Sequence, residues 1–131
     1  PDTPGFTAQP HRFLGNNYEQ FFYAHKGSPK LQKAGRSNVF SFKGIPSQLR
    51  SHPTERPIEL AQEVLATFAS PGANVLVPFA GSGNTLLAAN NLHMSAIGFN
   101  LTDLYRDTYL LKVYEGEVGK FSSYKAKAPK V

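Results

Sequence analysis

From Val64 to Thr102 the chain carries no Asp, Glu, Lys or Arg. Charged side chains are almost never fully buried, so a stretch this long without one reads as the core of the molecule. Inside it, "NVLV" (Asn74 to Val77) runs into the glycine turn Gly81-Ser82-Gly83. A segment of helical character, "NTLLAANNL", follows, and then a second apolar run, "SAIGF". Short apolar runs bounded by turn signals read as buried strands. Strand, turn, helix, strand is the order of a βαβ unit, whose parallel strands are joined by a crossover helix and covered on both faces. Ligands of such sheets sit at the carboxyl ends of the strands, which puts the glycine turn at the candidate site.

The flanks extend this unit. In "PIELAQEVLATFAS" the apolar positions Ile58, Ala61, Val64, Leu65 and Phe68 recur at helical spacing. Thr54 is the expected N-cap, Pro57 is tolerated in a first turn, and "SPG" at Ser70–Gly72 ends the helix. "TDLYRDTYLLKVYEG" predicts a last helix, capped by Thr102 or Asp103 and stopped by Gly116. The reading is an α/β fold: a helix-β-α-β-α unit preceded by a loop-rich region. Residues 1–17 read as irregular, aromatic-rich Tyr18–Gly27 as a strand, "SPKLQKAGRSN" as a loop and "VFSFKG" as a short strand. Three parts result: a basic loop-rich segment (1–51), an α/β portion (52–116) and a basic tail (117–131) expected to fray.

Composition narrows the function. A chain of 131 residues, 40% of them hydrophobic, suits one domain with a real core. No run approaches the ~20 apolar residues of a membrane helix, and "PDTPGFTAQP" has no signal-peptide pattern. Cysteine is absent, which leaves no disulfide and no thiolate metal site and fits a cytoplasmic protein. The four His (11, 25, 52, 93) show neither metal-ligand spacing nor a Ser-His-Asp constellation, so no metal is expected. The net charge is +5 with a pI near 9.6. Between Phe21 and Arg50 six basic residues occur and no acid. Such a segment either contacts an anionic partner, nucleic acid first, or is a solvated basic surface.

A strand that turns sharply into a helix exposes backbone N–H groups and the positive end of the helix dipole. Glycine permits close approach, so the turn can hold a phosphate, a carboxylate or the amino-acid end of a cofactor, or it can be a tight connection with no ligand. Two common nucleotide motifs fit poorly. A P-loop needs Lys then Ser/Thr after its last glycine, and here Asn84 and Thr85 follow Gly83. The dinucleotide fingerprint wants a small residue where Leu86 stands.

Three motifs in register carry a resemblance. They are His52-Pro53-Thr54-Glu55-Arg56-Pro57, then Val77-Pro78-Phe79-Ala80-Gly81-Ser82-Gly83-Asn84-Thr85, then Gly98-Phe99-Asn100. The chain resembles, over roughly residues 18–113, the C-terminal half of amino-methylating DNA methyltransferases of the permuted class. There the order is H-P-T-x-K-P, D-P-F-x-G-S-G-T-T, then G-I-E. The resemblance implies a partial Rossmann-like methyltransferase fold and S-adenosylmethionine as cofactor. It also implies methyl transfer to adenine N6 or cytosine N4 of double-stranded DNA, as in restriction-modification or phage self-protection. Carried over, Phe79, Gly81, Ser82 and Gly83 shape the methionine end of the pocket, with Asn84 and Thr85 completing the turn. Thr54 contacts the cofactor carboxylate and Asn100 the ribose hydroxyls. The plainer alternatives are Thr54 as only a helix cap and Phe79 as only core.

Three departures matter. Val77 and Asn100 stand where the family has acids, and a neutral hydrogen bond is worth ~1 kcal/mol against ~1.5–3 for a charged one. The catalytic motif D/N/S-P-P-Y/F/W, which holds the flipped base, occurs nowhere in the chain; in the permuted class it lies upstream. No catalytic residue is therefore assigned here. The chain is expected to be the C-terminal portion of a longer enzyme, inactive alone, that pairs with a catalytic half or a second copy. The alternative is a catalytically inactive methyltransferase-like module that binds DNA or protein; a further one is another Rossmann-like nucleotide binder. Under the enzyme reading, Lys26, Lys30, Lys33, Arg36 and Lys43 contact DNA phosphates from loops.

Overall fold

The computed structural model describes residues 9–116. After a 3-10 turn at Ser47–Leu49 the order is α1 (Ile58–Phe68), β1 (Asn74–Val77), α2 (Asn84–Asn91), β2 (Ser95–Gly98) and α3 (Asp103–Glu115). The expected helix-β-α-β-α unit is present. β1 and β2 pair in parallel, Asn74 with Ser95 through Val77 with Gly98. Ile58, Leu87 and Ala88 form the buried cluster between the helices, with Ala61, Leu65 and Tyr109 packed against it. This is the periodic face that the sequence offers on α1, met by the small alanines of α2.

Leu86 also finds a use. A Cβ at Gly98 would stand 2.9 Å from a Leu86 methyl and 3.1 Å from Ala80 Cβ. The close helix-to-strand approach that nucleotide-binding folds obtain from a small helix residue is obtained here from a glycine on the strand. α2 ends with His93 in the left-handed conformation, φ 55°, and Met94 N–H donates back to Ala89 C=O at 2.9 Å. That reversal feeds β2.

Several local expectations need correction. Thr54 does not cap α1: Pro57 occupies the N-cap position, and Thr54 lies in the turn before it. Thr102 is the N-cap of α3 but makes no side-chain cap bond. Gly116, φ 72°, ends α3 as expected. Neither Tyr18–Gly27 nor Val39–Gly44 is a strand. Both are irregular, and aromatic contacts rather than a backbone ladder hold the first of them. The Tyr23 ring stacks on Phe68 at 4.5 Å, and Phe21 meets Phe40 edge-on at 5.5 Å. Residues 117–131, read as a basic tail, and residues 1–8 lie outside the described residues.

The two-stranded sheet is covered on one face. On the other, the register pair Leu76 and Ile97 is 65% and 64% exposed. Among the described residues nothing packs over that pair.

Candidate cofactor site at the glycine turn

The strands prolong their pairing past the formal ends of the ladder. Phe99 N–H donates to Val77 C=O at 3.0 Å, and Ala80 N–H to Phe99 C=O at 2.8 Å. The Pro78-Phe79-Ala80 link is thereby pinned beside Phe99, and the glycine turn opens at the carboxyl end of the sheet. Gly81 has φ +53° and Gly83 φ +77°, conformations that strain any residue with a Cβ. Gly83 is the N-cap of α2, and its N–H donates to Ala80 C=O at 2.9 Å.

Two side chains from distant segments close on this turn. The His52 imidazole lies over Gly81, where a Cβ would sit 3.6 Å from the ring, and meets Tyr105 of α3 edge-on at 4.3 Å. The Tyr109 ring lies against Gly83, where a Cβ would come within 2.7 Å of Cγ. Burial of Tyr109 pushes its phenol pKa up. The Thr54 hydroxyl and N–H are both 3.2 Å from His52 Nδ1. The H-P-T segment is thus folded onto the glycine turn.

Beneath the turn is a polar cluster. Lys112 Nζ donates to Glu55 Oε1 at 2.5 Å, Ser51 Oγ at 3.0 Å and Asn84 Oδ1 at 3.0 Å. Glu55 accepts further bonds from Asn84 Nδ2 at 3.0 Å and from the Ser51 N–H and hydroxyl at 2.5 and 2.9 Å. Burial alone would raise the Glu55 carboxyl; the bonds from Lys112 and Ser51 outweigh it and hold the pKa below the ordinary value.

The anticipated site residues divide by what they face. Phe79 is 92% exposed at the mouth, which excludes the core reading. Gly81 and Thr85 are half-buried, and Ser82 and Gly83 are buried in the turn. Asn84 is buried with its amide turned inward to Glu55, Lys112 and, at 2.8 Å, Arg56 C=O. Thr54 is exposed beside the turn, so its alternative as only a helix cap also falls. Asn100 is exposed past β2, and its Oδ1 accepts from Leu101 N–H at 3.2 Å.

The basic set divides too. Glu63 of α1 takes Lys33 at 2.6 Å and Arg36 at 2.5 Å. Arg36 also reaches Thr67 Oγ1 at 3.1 Å and lies 3.8 Å over the Phe40 ring. These two cations lash the loop-rich segment to α1. Lys26, Lys30 and Lys43 are exposed. Sequence reasoning missed Glu55, Lys112 and Tyr109 as parts of the site. The only advance signal was that Glu55 lies inside the H-P-T motif. Among the described residues no group of His, Asp and Glu is placed to hold a metal, and no helix is long and apolar enough to cross a membrane.

A parallel sheet with a glycine turn at its carboxyl end and helices on one face is the architecture of a partial Rossmann-like methyltransferase fold. The fold is similar to that in a crystal structure of an M1.HpyAVI–SAM complex, with a TM-score of 0.57 and 21% identity, covering 86% of this chain and 57% of that one. The profile of a family described as DNA methylase matches residues 6–110. The chain belongs to that family of N6/N4 DNA methylases. It is 37% identical over 93 residues to a putative methylase, YubD, of Escherichia coli (strain K12), covering 71% of this chain and 40% of that protein. It is 28% identical over 107 residues to the type II methyltransferase M.HpaI of Haemophilus parainfluenzae, covering 76% of this chain and 33% of the relative. The chain therefore spans less than half the length of these two relatives.

Proposed function

We propose that this chain is the S-adenosylmethionine-binding portion of a cytoplasmic DNA methyltransferase that modifies adenine N6 or cytosine N4 in double-stranded DNA. One observation carries the reading: the H-P-T segment and the P-F-x-G-S-G turn, 26 positions apart from His52 to Pro78, fold onto each other through His52 over Gly81.

 The two motifs are distant in sequence and adjacent in space at the end of the sheet. The positive-φ glycines let the His52 and Tyr109 rings close on the turn, and Phe79 stands exposed beside it.

The cofactor supplies an activated methyl group, and its transfer to an amino nitrogen needs no covalent bond to the enzyme. This chain's residues bind and orient. Gly81, Ser82 and Thr85, with the N-terminus of α2, receive the carboxylate-bearing end through backbone donors, and Gly83, whose N–H is taken by Ala80 C=O, makes the turn tight. Thr54 adds a hydroxyl to that end, and Phe79 supplies an apolar wall. Asn100 hydrogen-bonds ribose hydroxyls through a neutral amide. Asn84 acts from beneath, through its buried amide. Such positioning is the main contribution an enzyme of this kind makes. The base-holding residues come from a catalytic half; that half, or a second copy of this chain, seats on the bare Leu76–Ile97 face. Lys26, Lys30 and Lys43 meet DNA phosphates, with Lys33 and Arg36 available only if they leave Glu63.

The test is calorimetric titration of the 131-residue chain with S-adenosylmethionine beside a Gly81→Asp variant. Binding in the parent and a loss of at least tenfold in the variant is expected. No binding in either favours the catalytically inactive module, a reading to which Val77 and Asn100 lend support.

A further inference from the structure

We propose that Lys112 is a positioning residue for the glycine turn: with Glu55 and Asn84 it forms a buried hub that fixes the turn against the Thr54 segment. The inference rests on the reading of that turn as the cofactor site and deepens it.

The bonding is saturated in a way that fixes geometry. An ammonium has three donors, and Lys112 places all three, on Ser51, Glu55 and Asn84. The amide of Asn84 faces the ammonium with its oxygen, while its nitrogen bonds Glu55 and Arg56 C=O. Each hub member adjoins a residue of the proposed site in sequence. Glu55 follows Thr54, and Asn84 follows Gly83 as the first residue of α2. Lys112 lies one turn beyond Tyr109, whose ring rests on Gly83. One face of α3 thus holds the turn at two points.

Adhesion alone is a poor explanation for this arrangement. The Lys112 and Glu55 side chains are 13% and 4% exposed. A buried ion pair often contributes no more to stability than apolar residues of the same volume, because both charges lose their hydration. Lys112 also brings its charge to the N-terminal end of α2, where the helix dipole disfavours a cation. Glu55 offsets that. What the hub adds is direction: each bond is specified by one donor and one acceptor, and apolar packing would let the turn slide.

The experiment follows amide hydrogen exchange and S-adenosylmethionine binding in the full 131-residue chain, comparing the parent with Lys112→Met and with Glu55→Met/Lys112→Met. For Lys112→Met, exchange at Gly83–Leu87 should quicken at least tenfold while Val64–Phe68 in α1 changes less than twofold, and cofactor binding should weaken at least tenfold. The double variant should regain thermal stability without regaining the slow exchange of the turn, because Asn84 keeps only Arg56 C=O and still lacks Glu55 and Lys112. Equal acceleration in both segments, or a double variant that restores the turn as well as stability, overturns the proposal. If the parent itself fails to bind S-adenosylmethionine, the cofactor reading falls, and the exchange comparison still decides whether Lys112 holds the turn.

Discussion

Gly83→Ala separates backbone strain from steric contact at the centre of the site, because Gly72 supplies a matched control. Both glycines have φ near +75°, at +77° and +73°. A residue with a Cβ pays ~1–2 kcal/mol in that left-handed region. Around Gly72 a Cβ would meet nothing within 4 Å, so Gly72→Ala should cost that amount and no more. At Gly83 the Cβ would lie 2.7 Å from Tyr109 Cγ and 3.0 Å from Tyr109 Cβ. Tyr109 is anchored in the core cluster and cannot swing clear without opening it. Overpacking of this kind adds ~1–3 kcal/mol, so Gly83→Ala should cost about 2–5 kcal/mol in all. Urea unfolding of the two variants measures the difference directly. A melting comparison should separate them by ~4–8 °C per kcal/mol. In a Tyr109→Ala background the excess at position 83 should vanish, giving a coupling of at least ~1 kcal/mol. Equal losses for the two glycines, or no coupling to Tyr109, would refute the claim that α3 is seated on the turn through that ring.

Three further outcomes follow from the same geometry. Glu55 has a folded-state pKa below its ordinary value of 4.5, so its contribution is present above that pH and is lost as pH falls through the lowered value. Denaturant titration should show the parent losing stability below pH 4.5 more steeply than Glu55→Gln, and parallel curves would count against the hub. Neutralising Lys26 and Lys30 to Gln should each flatten the log–log salt dependence of DNA binding by ~0.9. Lys33→Gln and Arg36→Gln should change it far less, because Glu63 already takes both cations, and a full loss from those two would show that DNA displaces Glu63. Leu76→Asp, at a position 65% exposed, should abolish association of the chain with itself or with a catalytic half in light scattering; an unchanged mass would remove that face from the interface.

The sequence announced the α/β unit because its signals are local. Apolar runs, a glycine turn and a 3.6-residue period each report on a few neighbouring residues, and the charge-free block marked which of them are packed together. The strand expected at Tyr18–Gly27 failed because aromatic content signals burial against something, not a ladder. The Phe21 and Tyr23 rings spend themselves on Phe40 and Phe68. Lys33 and Arg36 read as free cations because their acid, Glu63, lies 30 and 27 positions away on α1. The hub was invisible for the same reason: Lys112 and Glu55 are separated by 57 positions, and nothing local distinguishes a lysine that turns inward.

The charge-free block and the hub are two sides of one arrangement. Val64 to Thr102 supplies both strands, the glycine turn and α2, and so forms the floor of the site without a single charged side chain. Apolar packing can hold such a floor together but gives little control over where its rim lies. Control enters from outside the block, on either side of it in sequence. Glu55 comes from before α1 and Lys112 from the last turn of α3, and they meet at Asn84, where the turn becomes a helix. His52 and Tyr109 repeat the pattern over Gly81 and Gly83. The uncharged core thus fixes the fold, and the flanking segments, each reaching back to one glycine and one polar contact, fix the site.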